Sequence, residues 1–194
     1  MQAPAIERDS DDYLMAAVGR GDAQAYSRLV ERHLAGVYRL CYRLVADRQE
    51  AEDLTQESFA RLWQSAPNWR SQGGGVPAWL HRVARNLCFD RLRTRREVAT
   101  GAWPDIEDLS PDAARRIETG QLQALLEACL HRLSPAHRSA LVLSYYEGHS
   151  NAVAAQIMDM NLKAFESLLL RARRRMSAEL VLAGVQRADV ELLS

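Results

Sequence analysis

The chain has 194 residues, with 25 basic and 25 acidic side chains and a formal net charge of zero. Hydrophobic residues make up 47% of it and charged residues 26%, which is ordinary for a soluble globular protein of one domain or two small ones. No apolar run approaches the roughly 18 residues that cross a bilayer. The N-terminal segment MQAPAIERDSDDYLM carries acids where a signal peptide needs a positive start. We therefore expect a cytoplasmic protein.

The cysteines and histidines give no sign of a disulfide framework or a metal site. The three cysteines are far apart in the sequence and stand in apolar helical patterns, which favours burial as free thiols: Cys41, Cys88 and Cys129. The five histidines show neither an HExxH motif nor a paired Cys/His spacing. No nucleophile, base and orienting group converge on any motif, so we expect no enzymatic activity.

The N-terminal part of the chain predicts helices after a flexible segment over residues 1–21, whose beginning is polar and acidic. Asp22 stands at an N-cap position, and apolar residues then recur at steps of three and four up to Leu44. This pattern predicts one long amphipathic helix. A second helix is predicted over residues 51–65. Its apolar face holds Leu54, Ser58, Phe59, Leu62 and Trp63, and its opposite, acidic stripe holds Asp53, Gln56, Glu57 and Gln64.

A loop rich in glycine and proline, PNWRSQGGGVP, precedes a third helix that Pro77 opens at a favoured first-turn position. One stripe of this helix follows steps of four, three and four: Arg82, Asn86, Phe89 and Arg93. Aromatic side chains interleaved with arginines are typical of platforms for single-stranded nucleic acid. The helical phase places Trp79 in the core, whereas Trp69, in the loop, is the better candidate for touching a base.

Residues 97–119 predict a linker, because they are acidic, include two prolines and have no sustained apolar face. Residues 120–183 then predict four helices, followed by a tail over residues 184–194. The second of these helices starts at Ser134 and Pro135 and ends at Gly148.

The last two predicted helices form a helix-turn-helix. Ser150 or Asn151 starts a helix of about two turns, and Asn161 caps a longer one that runs to about Leu182. The second helix of such a pair enters the DNA major groove with its first turns toward the bases. Those turns carry Lys163, Ala164, Glu166 and Ser167, and the basic run behind them, which can neutralise phosphates, is Arg171, Arg173, Arg174 and Arg175.

An arginine-rich helix end is commonly just a solvated face. Here a second basic cluster exists, because the segment from Trp79 to Arg96 holds six arginines against one acid. Two basic helices in a chain of zero net charge favour nucleic-acid binding.

Three segments in this order resemble regions two and four of bacterial extracytoplasmic-function (ECF) sigma factors: GDAQAYSRLVERHLAGVYRLCYRLVADRQEAEDLTQESFARLW, AWLHRVARNLCFDRLRTRR and LSPAHRSALVLSYYEGHSNAVAAQIMDMNLKAFESLLLRARRRM. The resemblance implies an all-α fold of two small helical domains joined by an acidic linker, the second containing the helix-turn-helix. Residues 22–96 then correspond to region two and residues 120–183 to region four. It also implies a subunit that directs core RNA polymerase to promoter DNA, needs no cofactor and is held by an anti-sigma factor.

The resemblance assigns roles to particular residues. Core-polymerase binding falls to Asp53, Gln56 and Glu57. Binding of the minus-ten element falls to Arg82, Asn86 and Arg93, with the loop from Asn68 to Val76, including Trp69, receiving a flipped base. Binding of the minus-thirty-five element falls to Lys163, Ala164, Ser167, Arg171 and Arg174. The acidic linker resembles the segment that threads the RNA channels of the polymerase, and a solvated tether is the alternative.

Three places depart from the family pattern. Val153 stands where a glutamate is usual, which removes an ion pair, and Asp159 replaces the usual glycine of the turn. Asp tolerates a left-handed backbone better than most residues, so the turn is expected to form. The third departure is the run Gly73 to Gly75 in the base-capture loop, which is expected to be unusually flexible.

Two other classes of protein stay open. A stand-alone helix-turn-helix regulator needs only the C-terminal helices, and leaves the acidic stripe and the first basic helix without a role. A sigma-like interaction protein that titrates an anti-sigma factor has no need of the basic faces, which this chain keeps.

Overall fold

The computed structural model describes residues 10–71, 73–98 and 119–185, all of whose regular structure is helical. A π-helical segment, Val142–Tyr146, continues the sixth helix, and no described helix is long and apolar enough to span a membrane. The predicted linker, apart from its ends, and most of the tail lie outside the described residues. The helices are α1 Asp11–Val18, α2 Ala23–Val45, α3 Arg48–Ser65, α4 Gly75–Val98, α5 Thr119–His131, α6 Pro135–Leu141, α7 Asn151–Ile157 and α8 Leu162–Leu182.

Side-chain caps explain where the helices begin. Asp22 accepts hydrogen bonds from two backbone N–H groups in the first turn of α2, as predicted. Asp47 caps α3 in the same way, so this helix starts three residues before the predicted position 51. Ser134, Ser150 and Asn161 cap α6, α7 and α8. Each cap of this kind contributes about 1 kcal/mol to helix stability.

The N-terminal segment differs from the sequence expectation. The prediction that residues 1–21 are flexible is wrong for the eight residues of α1. Its Leu14 and Met15 are 1% and 0% exposed. Burial of these apolar side chains against α2 and α4 stabilises a helix whose first turn is acidic. Asp11 adds an ion pair to Arg32 of α2 at 2.5 Å.

Helices α1 to α4, the first block, surround a core to which the predicted apolar faces contribute. Cys41 of α2 and Cys88 of α4 are fully buried, and the neighbouring Cys88 lowers the pKa of the Cys41 thiol. Cys129 is buried as well, so the predicted burial of all three free cysteines is confirmed. Trp63 was expected on the inner face of α3 but is 39% exposed, because it lies at the edge of the core, with its ring edge-to-face against Tyr26 at 5.0 Å.

Helices α5 to α8, the second block, pack directly against the first one. The contacts run from α7 to α4 and from α5 and α6 to α2. Buried residues from both blocks form one continuous apolar cluster. The two predicted domains are therefore present, and their cores join.

A buried arginine connects the two blocks. Arg138 of α6 is 8% exposed and donates a 2.6 Å hydrogen bond from Nη1 to the carbonyl of Leu44, in the last turn of α2. Its other nitrogens donate to the carbonyls of Leu130 and His131 at the end of α5 and of Leu133 just after it. Carbonyls at helix ends lack intrahelical donors, so one guanidinium satisfies two helix termini at once. Burial lowers the pKa of Arg138 to about 10, which leaves it charged near neutral pH.

Beside Arg138 lies an interblock polar cluster made of Arg39, Arg43, His81, Glu147 and His149. The carboxylate of Glu147, which follows the π-helical segment, is 3.8 Å from Nη1 of Arg43 and 3.9 Å from Nη2 of Arg39. Nδ1 of His81 and Nε2 of His149 are 2.6 Å apart, so the two rings share a hydrogen bond across the blocks. Charged and ring groups of α2, α4 and the second block thus meet at the junction, where Arg39 is 52% exposed and the side chains of Arg43, His81 and Glu147 are largely buried.

The buried histidine pair predicts that acid destabilises this fold. Burial, and after it the nearby His149, lowers the pKa of His81 from 6.5 to about 3. At pH values between about 3 and 6.5, His81 binds a proton in the unfolded chain but not in the folded chain. The free energy of unfolding is therefore highest above pH 6.5 and decreases as the pH falls below it. Glu147 acts in the opposite direction, because burial raises its pKa and the folded chain binds its proton first.

From about pH 7 to about pH 5.5, we expect His81 to lower the free energy of unfolding by about 1 kcal/mol. Urea unfolding at both pH values measures this change. In the His81→Gln variant that part of the pH dependence should vanish. The same pH dependence in both proteins contradicts the prediction.

Candidate polymerase and nucleic-acid interfaces

The acidic stripe lies on the outer face of α3. Asp53, Gln56 and Glu57 are all exposed, while the opposite face of the helix packs into the core. Nε of Arg61 donates to Oε1 of Glu57 at 2.9 Å, and both side chains are 49% exposed. Exposed ion pairs of this kind hold the side chains weakly. The stripe is therefore an open acidic surface that a basic partner surface can contact.

The predicted basic stripe is present on α4, and its members have different neighbours. The side chain of Arg93 is 71% exposed and forms an ion pair with Asp90 at 3.1 Å. Asn86 is exposed two turns earlier. The side chain of Arg82 is 44% exposed, and its Nη2 pairs with Oδ1 of Asp159 in the second block. Among the predicted minus-ten residues on α4, and within the described part of the chain, Arg82 alone forms an ion pair with the helix-turn-helix.

Aromatic side chains cluster at the start of α4. The rings of Trp69 and Trp79 meet edge-to-face with their centroids 5.9 Å apart. Trp79 is half-buried against the core, in agreement with its helical phase. Nε1 of Trp69 donates to Oδ1 of Asp12 at 3.2 Å, so α1 orients the residue expected to meet a base. The ring of Phe89 is covered by the guanidinium of Arg85 at 4.1 Å.

Helix α8 presents four of the five predicted minus-thirty-five residues outward. Lys163, Ser167, Arg171 and Arg174 are exposed, whereas Ala164 is half-buried and donates its N–H to the cap Asn161. The Ser167 hydroxyl donates to the carbonyl of Lys163 at 3.0 Å. These side chains lie on one surface of the helix, as a major-groove reader requires.

One arginine of the basic run has an internal partner that sequence reasoning missed. Nη2 of Arg175 is 3.3 Å from the carboxylate of Glu179, a residue only 5% exposed. The i, i+4 spacing of the pair was the available signal. Arg175 neutralises this buried acid, so Arg171 and Arg174 are the better candidates for phosphates and bases.

The turn of the helix-turn-helix has the predicted backbone. Asp159 has φ of 55°, in the left-handed region, so the turn forms without glycine. Gly74 and Gly75 of the base-capture loop also have positive φ, at 86° and 62°. Apart from Gln72, the loop is among the described residues and leads directly into α4.

The loop and the turn line an open cavity of about 450 Å³ between the two blocks. Trp69 and Arg82 therefore share one site, while Asn86 and Arg93 lie farther along α4. The cavity is lined on one side by Trp69, Arg70, Gly73, Gly75, Ala78, Trp79 and Arg82, and on the other by Gln156, Ile157, Asp159, Met160 and Asn161.

Comparisons with known proteins match both halves of this arrangement. Residues 29–98 match the Sigma-70 region 2 family, and residues 123–176 match the Sigma-70 region 4 family. The ECF RNA polymerase sigma factor BldN of Streptomyces coelicolor is 35% identical over 90% of this chain and 68% of its own length. This chain belongs to the ECF sigma factor family. The family resemblance carried by its motifs is confirmed.

Other ECF sigma factors extend the comparison. SigM of Mycobacterium tuberculosis is 31% identical over 87% of this chain and 83% of its own length. SigE of Mycolicibacterium smegmatis is 35% identical over 78% of this chain, and the match spans only 60% of that protein.

Solved structures share the fold. CnrH, in complex with the cytosolic domain of CnrY, matches with a TM-score of 0.68 at 24% identity over 90% of this chain and 99% of its own. RpoE from Bartonella quintana, in complex with the anti-sigma factor NepR, matches with a TM-score of 0.66 at 22% identity over 81% and 98%. At these identities the matches bear on the fold alone, and they confirm the predicted class of two helical domains.

Proposed function

We infer that this ECF sigma factor binds core RNA polymerase and directs it to a specific set of promoters. The observation that carries this function is the presence of both sigma regions, residues 29–98 and 123–176, in one chain. An exposed acidic face on α3 and exposed basic faces on α4 and α8 support it. The chain acts as a regulatory subunit in the cytoplasm and carries out no chemistry of its own.

The direct test is run-off transcription with purified core polymerase, on templates whose starts are mapped after overexpression. Promoter-specific transcripts are expected only when the chain is added. A titrating, sigma-like protein gives no transcript but binds an anti-sigma factor, and a stand-alone regulator binds DNA without core polymerase. The three classes therefore differ in outcome.

The acidic stripe of Asp53, Gln56 and Glu57 is the proposed docking surface for core polymerase. Because Asp53 is exposed and lies opposite the buried face of α3, its replacement should leave the fold intact. We expect Asp53→Lys to weaken core binding about tenfold, since a repelling charge then faces a basic partner. Glu31→Lys, an exposed site on α2, is the control with the same charge change. Unchanged affinity in Asp53→Lys, or an equal loss in the control, removes this assignment.

The minus-thirty-five surface divides into base and phosphate contacts. Arg171 is proposed to read a base together with Lys163 and Ser167, and Arg174, one turn later, to contact phosphate. We expect Arg171→Ala to relax specificity at one promoter position by about 1 to 3 kcal/mol. We expect Arg174→Ala to weaken all sequences alike and to reduce the salt slope by about one.

Holoenzyme binding to a mapped promoter and to its single-base variants, at several salt concentrations, separates the two effects. Identical behaviour of the two variants contradicts the division between base and phosphate contacts.

An anti-sigma segment is the proposed inhibitor. The second block exposes large apolar side chains, including Tyr145, Leu170 and Leu182 at 57%, 48% and 76% exposure, which suit an amphipathic helix. We expect a one-to-one complex that excludes core polymerase. If saturating amounts of the cytoplasmic segment encoded beside this gene leave core binding and transcription intact, this regulation is wrong while the sigma function stands.

A further inference from the structure

The outward surface of α8 carries one acid among its basic residues. Between Leu162 and Ala178 the helix has five basic side chains, and Glu166 is the single acidic one. Glu166 is exposed, whereas the opposite face of the helix packs into the core through residues such as Phe165 and Leu169, which are 0% and 8% exposed. Residues three apart lie on the same side of a helix, so Glu166 shares the outward surface with Lys163.

No neighbouring cation neutralises Glu166. Two other acids of the chain pair with an arginine four residues away, Glu57 with Arg61 and Glu179 with Arg175. The residues four positions before and after Glu166 are leucines instead, and both are exposed. Within the described part of the chain, the Glu166 side chain has neither an ion pair nor a hydrogen bond. The helix thus holds an unneutralised carboxylate on the surface that the proposed function turns toward DNA.

Such a carboxylate opposes binding to the DNA backbone, because it and the phosphates are both anions. A base edge can offset this repulsion only by offering a hydrogen-bond donor, since an ionised carboxylate accepts and does not donate. In the major groove, guanine and thymine present acceptors, and adenine presents an acceptor beside its amino group. Cytosine presents its N4 amino group without an acceptor on the same base. Cytosine is therefore the base that a carboxylate on this surface favours.

We propose that Glu166 reads a cytosine of the minus-thirty-five element, with its carboxylate accepting a hydrogen bond from the N4 amino group. This inference rests on the proposed binding of α8 to promoter DNA and assigns it one base. Glu166 lies in the second turn of α8, among the residues that a recognition helix directs to base edges. The contact contributes specificity rather than general affinity, because the same carboxylate repels DNA wherever no cytosine meets it.

The test is competition binding of the holoenzyme to a mapped promoter and to duplexes in which each minus-thirty-five base pair is replaced in turn. For the unchanged protein, replacement of one C·G pair is expected to weaken binding about tenfold. In Glu166→Gln the loss at that pair should fall to about twofold, and adenine should become the preferred base there, because a glutamine amide bonds N6 and N7 of adenine. Glutamine and glutamate have similar helix propensities, so the exposed site should keep its fold.

Binding to DNA without the element should change in the opposite direction. Glu166→Gln is expected to bind a duplex of random sequence about twofold more tightly, because one repelling charge is removed. Glu31→Gln removes the same charge from an exposed site on α2 and is the matched control. It should leave every base preference unchanged.

A modified base isolates the amino group. A duplex with 2-pyrimidinone in place of the cytosine lacks the N4 amino group alone, and the unchanged protein should bind it about tenfold more weakly. Glu166→Ala should lose much less on the same change, because its hydrogen-bond partner is already absent. Any effect of the modified base on the duplex itself is common to both proteins and cancels in this comparison.

Base preferences in Glu166→Gln that equal those of the unchanged protein at every position overturn the cytosine contact. A preference lost only at an A·T pair overturns it as well. Arg171→Ala, measured on the same duplexes, keeps this result apart from the proposed function. A changed preference in Arg171→Ala with none in Glu166→Gln overturns the Glu166 contact alone. If neither variant changes any preference, the proposed minus-thirty-five role of α8 fails together with it.

Discussion

The guanidinium of Arg138 is the contact on which the arrangement of the two blocks depends. It reaches from α6 to the carbonyl of Leu44 at the end of α2 and holds the end of α5 with the same group. A buried guanidinium without its acceptors carries a large desolvation cost, so this residue stabilises only conformations in which both helix ends are near it. Arg138 also determines the position of α7 over the base-capture loop, because α7 follows α6 and the π-helical segment in the chain.

The interface beside Arg138 is polar and imperfectly paired. Within the part of the chain that the structure describes, Nε of Arg43 and Oε1 of Glu147 are buried without a hydrogen-bond partner. Such groups regain hydrogen bonds with water when the blocks separate, which lowers the free-energy difference between closed and open forms. A wholly apolar interface lacks this property. The junction therefore combines a continuous apolar cluster with buried polar groups that lack hydrogen bonds in the packed arrangement.

Local features of this fold followed from the sequence, and long-range pairs did not. The caps at Asp22, Ser134 and Asn161 involve neighbouring residues, so a short pattern suffices to predict them. Arg82 and Asp159 are 77 residues apart, and periodicity on two separate helices carries no information about their pairing. The helix α1 was missed because its polar first turn hides two core residues, Leu14 and Met15. Two departures from the family pattern make interblock contacts that only the tertiary arrangement reveals, since Val153 approaches Gly74 and Asp159 pairs with Arg82.

The π-helical segment over Val142–Tyr146 sets the direction in which Glu147 points. A π turn amounts to one residue inserted into an α-helix, and each helical residue rotates the chain by about 100°. Loss of a single codon in this segment would turn Glu147 away from Arg43 while every charged residue of the cluster remained encoded. One insertion or deletion in this segment therefore changes the interblock contacts of Glu147 without changing any charged residue.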